Sequence, residues 1–60
     1  MSIRILIVDD QKMMREGLRS LLEKQPDIEL VAEAENARQA LKLLSKLTPN
    51  VVIIDVAIPL

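Results

Sequence analysis

Along this chain the spacing of hydrophobic residues switches between a strand-like and a helix-like period. Ile3 to Val8 is apolar apart from Arg4, which marks its wetter end. Ile3, Ile5 and Ile7 fall on one face and Leu6 and Val8 on the other, as in a strand buried on both sides. Asp9-Asp10-Gln11 ends it. From Lys12 to about Lys24, Met14, Leu18, Leu21 and Leu22 recur at helical spacing, with Arg15, Glu16, Arg19, Glu23 and Lys24 mostly off that stripe. Asp10 is a candidate N-cap for this helix. Glu16 and Arg19 are spaced to pair across one turn. Gly17 sits mid-helix at a cost of about 1 kcal/mol against Ala, which close packing against a neighbour would explain. Gln25-Pro26-Asp27 stops the helix.

In the second half, Ile28, Leu30, Ala32 and Ala34 alternate with Glu29, Val31 and Glu33. That half-exposed pattern predicts a strand at a sheet edge. Asn36 with Gln39 three residues on resembles a capping box, with Asn in place of Ser or Thr. The helix that follows turns Ala37, Ala40, Leu41, Leu44 and Leu47 inward and ends at Thr48-Pro49-Asn50. Val51-Val52-Ile53-Ile54 is then an unbroken β-branched run leading into Asp55, the mark of a strand buried on both faces.

The element order is β-α-β-α-β, with right-handed crossovers expected. Strand order 1-2-3 would put both helices on one face, and order 2-1-3 puts one on each. Two-faced burial of the first and third strands favours 2-1-3. That makes those two strands neighbours, so that Asp9, Asp10 and Asp55 converge at the carboxyl edge where open α/β sheets bind ligands.

Composition narrows the chemistry. The chain has 60 residues, half of them hydrophobic, with no aromatic, no cysteine and no histidine. That is one small domain with an aliphatic core, held by neither disulfides nor zinc. The net charge of −1 comes from interspersed acids and bases, with no nucleic-acid patch and no polybasic membrane segment. The opening apolar run is too short for a membrane span or a signal peptide, so a cytoplasmic location is expected.

Three carboxylates in one crevice repel one another, and a divalent cation removes the conflict. Mg²⁺ takes oxygen ligands and is commonly held by one or two carboxylates plus a phosphate. A carboxylate is also a competent nucleophile toward phosphorus. The pattern therefore suggests a Mg²⁺ site at Asp9 and Asp10 with Asp55 as phosphoryl acceptor. The plainer alternative is that the acids cap helices and mark strand ends, since Asp after a strand is common turn chemistry.

The residues Arg4-Ile5-Leu6-Ile7-Val8-Asp9-Asp10, then Arg15, Gly17-Leu18 and Leu21-Leu22, resemble the N-terminal half of a response regulator receiver domain of two-component signalling. Asp55 to Pro59 resembles the family's Asp-x-x-Met-Pro motif, with Ile58 in place of Met. The Arg-x-Gly-Leu helix looks most like the subfamily whose receivers precede a helix-turn-helix DNA-binding domain. The resemblance implies half of a flavodoxin-like fold across residues 1–60. It implies that Asp55 takes a phosphoryl group from a histidine kinase. It further implies Mg²⁺ bound by Asp10 directly, Asp9 through water, Asp55, and the backbone carbonyl of Ala57. DNA would be bound only through an output domain, and the receiver itself is not expected to be an enzyme.

The family also uses a Thr or Ser after its fourth strand and a Lys after its fifth, and the 60 residues hold no counterpart of either. Impaired chemistry is the expectation for this stretch taken alone. With order 2-1-3 the third strand is an edge, and Val51 to Ile54 is expected to pair with a second copy or with a missing half. A self-associating structural α/β unit without phosphotransfer chemistry is thus the rival reading. An aspartyl phosphatase fits worse, because neither Asp55-Val56-Ala57 nor Asp9-Asp10 has the Asp-x-Asp spacing. Dinucleotide and nucleotide-phosphate binding fit worse still, because the sole glycine is Gly17 and there is no Gly-rich loop.

Overall fold

The computed structural model describes residues 2–55. Five elements follow one another: β1 (Ile3–Val8), α1 (Lys12–Glu23), β2 (Ile28–Ala34), α2 (Ala37–Lys46) and β3 (Val51–Ile54). The strands are parallel in the order β2-β1-β3, the arrangement read from the sequence. This is a three-stranded α/β half of a flavodoxin-like sheet.

β1 lies in the middle and carries the core. Leu6 and Val8 face α2 and pack with Ala34 and Ala40, joined by Ala32, Leu43 and Val52. Ile5 and Ile7, also buried, point to the opposite face, under α1. β1 and β3 run in even register from Ile5–Val51 to Val8–Ile54. β1 and β2 do not. Ile3 to Ile5 meet Ile28 to Leu30, then the register shifts so that Leu6 meets Ala32 and Ile7 meets Glu33. Val31 is the extra residue of a bulge, a device that re-aims the side chains beyond it. The alternation expected for β2 therefore breaks. Ala32 and Ala34 go to the α2 face, and Glu33 goes to the α1 face.

The helices form where expected but present different stripes. On α1, Leu18 and Leu22 are half-buried together with Arg15, whereas Met14 and Leu21 are exposed. On α2, Ala40 and Leu43 pack against the core, and Leu41 and Leu44 are exposed along an apolar groove shared with Val52 and Ile54 of β3. In both cases the observed stripe is narrower than the expected one and takes in a residue outside it, Arg15 on α1 and Leu43 on α2, because one narrow sheet face covers only part of a helix.

Three local expectations fail. Gly17 is not packed against a neighbour: it is exposed, and outside its own helix nothing lies within 4 Å of where a Cβ would be. Asp10 does not cap α1. The N-cap is Gln11, without a side-chain bond, and the Gln11 amide instead donates to Asp9 Oδ1 at 2.9 Å. Arg19 pairs not with Glu16 but with Glu33 at 3.1 Å and Glu23 at 3.9 Å. The Asn36 cap forms as read, with Asn36 Oδ1 accepting from the Gln39 amide at 2.9 Å. In return, Gln39 Oε1 accepts from the Glu35 amide at 2.9 Å, one residue earlier than the usual box.

β3 is less buried than its sequence suggests. Val51 is 44% exposed and Ile54 56%, because β3 is an edge strand and two helices cannot cover both faces of three strands. Its entry is anchored by Arg4, whose amide and carbonyl bond Asn50 and whose guanidinium donates to Thr48 at 3.0 and 3.1 Å.

Candidate functional site

Asp9 and Asp55 each sit one residue past a ladder. Val8 and Ile54 form the last β1–β3 pair. Beyond them the Asp55 amide donates to the Val8 carbonyl at 3.0 Å, and the Asp9 amide donates to the Ala34 carbonyl at 3.0 Å. The backbone thus fixes where Asp9 and Asp55 leave the sheet before any side-chain contact is considered. Asp10 follows on the short connection to α1.

Order 2-1-3 brings the three together. One carboxylate oxygen from each of Asp9, Asp10 and Asp55 lies within 4.8 Å of the others. Asp9 is buried at 5% exposure, Asp55 is half-buried and Asp10 is exposed. Two unit charges at about 5 Å repel by about 1 kcal/mol in bulk water and about 3 kcal/mol at an effective dielectric of 20. Three oxygen donors on one edge are a donor set suited to a hard divalent cation, which would convert that repulsion into coordination. An apolar wall of Met14, Leu18 and Ile53 borders the acids on the α1 side.

The Asp9 carboxylate has one oxygen committed to the Gln11 amide. Its carbonyl accepts from Arg15 Nη1 at 2.6 Å. Arg15 in turn lies 3.6 Å from Glu33 across to β2. Arg15 was among the residues that carry the receiver resemblance, but neither it nor Glu33 was read from the sequence as part of the site. Arg15 falls at i−3 of Leu18 and i−7 of Leu22, so helical spacing alone places it on the inward stripe. Glu33 had no such signal, since its face depends on the bulge at Val31. Ala57, expected to offer a carbonyl, lies outside the described residues.

The family model of the response regulator receiver domain matches residues 5–60. The chain is 46% identical over 57 residues to a protein-glutamate methylesterase/protein-glutamine glutaminase of Carboxydothermus hydrogenoformans, covering 95% of this chain and 16% of that protein. It is 43% identical over 53 residues to the transcriptional regulatory protein LiaR of Bacillus subtilis, covering 88% of this chain and 25% of LiaR. Among solved structures it resembles the response regulator domain of Thermotoga maritima CheB, with a TM-score of 0.92 and 34% identity, covering 98% of this chain and 44% of that one. It also resembles RcsB of Salmonella enterica serovar Typhimurium, bound to promoter rprA in the presence of phosphomimetic BeF3⁻, with a TM-score of 0.93 and 29% identity over 98% of this chain and 29% of that one. The chain spans a sixth to a quarter of the length of these curated relatives. With the family model matching residues 5–60 of these 60 and the acids gathered at the sheet's carboxyl edge, the chain belongs to the response regulator receiver domain family.

Proposed function

We propose that this chain is the N-terminal half of a phosphoacceptor receiver, with Asp55 as the acceptor. The observation that carries the reading is the convergence of Asp9, Asp10 and Asp55 at one sheet edge. The phosphorylated histidine of a kinase is the donor. An Asp55 oxygen attacks phosphorus, the P–O bond forms and the P–N bond breaks. The electron pair leaves with the imidazole nitrogen, which takes up a proton. Asp10 would bind Mg²⁺ directly, Asp9 through water, and the Ala57 carbonyl would add a ligand. When bound, Mg²⁺ supplies positive charge to the attacking and transferring oxygens. The commitment of one Asp9 oxygen to Gln11 supports its indirect role. That the structure of the similar RcsB was obtained in the presence of phosphomimetic BeF3⁻ supports the acceptor chemistry. DNA contact would belong to an output domain outside these residues.

The test is labelling by a small acyl phosphate with Mg²⁺, read as intact mass. The chain is expected to gain one phosphoryl group, slowly, because the family's Thr/Ser and Lys are not among these 60 residues. Asp55→Asn should abolish the gain, and Asp10→Asn should reduce it and remove the Mg²⁺-dependent rise in unfolding midpoint. That rise amounts to about 2.7 kcal/mol at a hundred times the dissociation constant. Labelling that survives in Asp55→Asn refutes the assignment.

A second reading concerns assembly and rests on the exposed edge of β3. A flat, uncharged, β-branched edge invites pairing with another chain. Two copies joined through Val51–Ile54 would form a six-stranded sheet. Sedimentation over a range of concentrations should show association that Ile54→Lys abolishes. A monodisperse monomer with protected β3 amides disproves it.

A further inference from the structure

We propose that Arg15 is a positioning residue that holds the peptide between Asp9 and Asp10, and so sets the acid pair for its cation; the inference rests on reading those acids as a cation site. A guanidinium whose side chain is only 13% exposed needs partners. Arg15 has two, on different elements: the Asp9 carbonyl at 2.6 Å and Glu33 of β2 at 3.6 Å. Glu33 reaches the α1 face only because the β1–β2 register shifts at Val31 and sets it opposite Ile7. Its second oxygen is held by Arg19 at 3.1 Å. The bulge, Glu33 and Arg15 together form a brace from the sheet edge to the connection that bears the site, and Arg19 holds only the outer oxygen of Glu33.

The brace matters because of what the other bonds leave unfixed. The Asp9 amide is tied to Ala34 and its carboxylate to Gln11. The Asp9 carbonyl and the Asp10 amide share one rigid plane. Fixing that carbonyl oxygen fixes the direction from which Asp10 departs. Asp10 is exposed, and its carboxylate has no protein partner among the described residues, so Arg15 reaches it through the shared plane.

Charge and positioning predict opposite outcomes. Removing a cation beside an acid cluster should tighten divalent binding by electrostatics alone. Removing a partner that orients the ligands should weaken it, typically by about tenfold or more. Arg19 is the control: it also lies on α1 and also binds Glu33, but does not touch Asp9.

The experiment is NMR of the 60-residue chain and its Arg15→Ala, Arg15→Lys and Arg19→Ala variants. It measures Mg²⁺ affinity by titration and, without metal, the order of the Asp10 and Gln11 amides by relaxation. Arg15→Ala should bind Mg²⁺ about tenfold more weakly and loosen those amides before any metal is added. Arg15→Lys, with the charge but not the fork, should fall between it and the parent, and serves if the alanine variant does not fold. Arg19→Ala should leave both readouts unchanged. Unchanged or tighter Mg²⁺ binding in Arg15→Ala overturns the proposal, as does equal weakening in Arg19→Ala. If the parent chain itself binds no Mg²⁺, the cation-site reading falls on its own. The metal-free amides still decide the brace, and unaltered order in Arg15→Ala and Arg15→Lys then overturns it.

Discussion

Replacing Gly17 with Ala should stabilise this protein. Gly17 lies in the middle of α1 with no positive φ to preserve. It is exposed, and a Cβ there would meet nothing within 4 Å outside the helix. No close approach and no unusual backbone angle calls for glycine. What remains is its cost: a larger unfolded-state entropy to lose, about 0.5–1 kcal/mol relative to Ala. A 60-residue chain at typical stability per residue holds only about 3–9 kcal/mol in all. At this size 1 kcal/mol moves Tm by about 4–8 °C. With no aromatic residue the chain gives no intrinsic fluorescence signal, so urea unfolding is followed by far-ultraviolet circular dichroism. Gly17→Ala should raise the midpoint at unchanged m-value. A lowered midpoint would refute the reasoning, because it would mean that the Gly17 face of α1 seats against something in solution.

Two further pairs of substitutions probe the core and a cap. Leu6, at 1% exposure in the central strand, packs against Val8, Ala34 and Ala40, so Leu6→Ala should cost about 2–5 kcal/mol and leave much of the chain unfolded. Leu41→Ala on the exposed side of α2 should stay within about 0.5 kcal/mol, and an equal loss at both positions in urea melts would contradict the assigned faces. Asn36→Ala removes the acceptor for the Gln39 amide and should lower stability by about 1 kcal/mol, with Asn36→Gly losing only a few tenths. Equal losses in those two variants would show that the side-chain cap contributes nothing.

Much of the fold was legible because its signals are local. The apolar run of β1, the period change at Lys12, Pro26 after α1 and the Asn36–Gln39 cap each depend on residues a few positions apart. The faces were harder to read. On α1 the stripe read as Met14, Leu18, Leu21 and Leu22 proved to be Arg15, Leu18 and Leu22, since an arginine with two anchors can be buried where a leucine was expected. On α2, Leu43 displaced Leu41 and Leu44. Burial of a helix face depends on how much sheet lies beneath it, which the helix's own residues do not encode.

The candidate site divides the same way. Residue types alone placed Asp9-Asp10 and Asp55 at the ends of two apolar strands, and their number and charge pointed to a cation. The sequence by itself therefore determined the chemistry on offer and the elements that carry it. The two-faced apolar runs of β1 and β3 already favoured making them neighbours, and the tertiary structure supplied the resulting approach of the acids to within 4.8 Å. It alone decided that Glu33 lies under Arg15, because one extra residue in β2 turns the side chains beyond it to the opposite face. Such contacts join residues far apart in the chain, and their geometry is fixed by strand register, which local pattern leaves open.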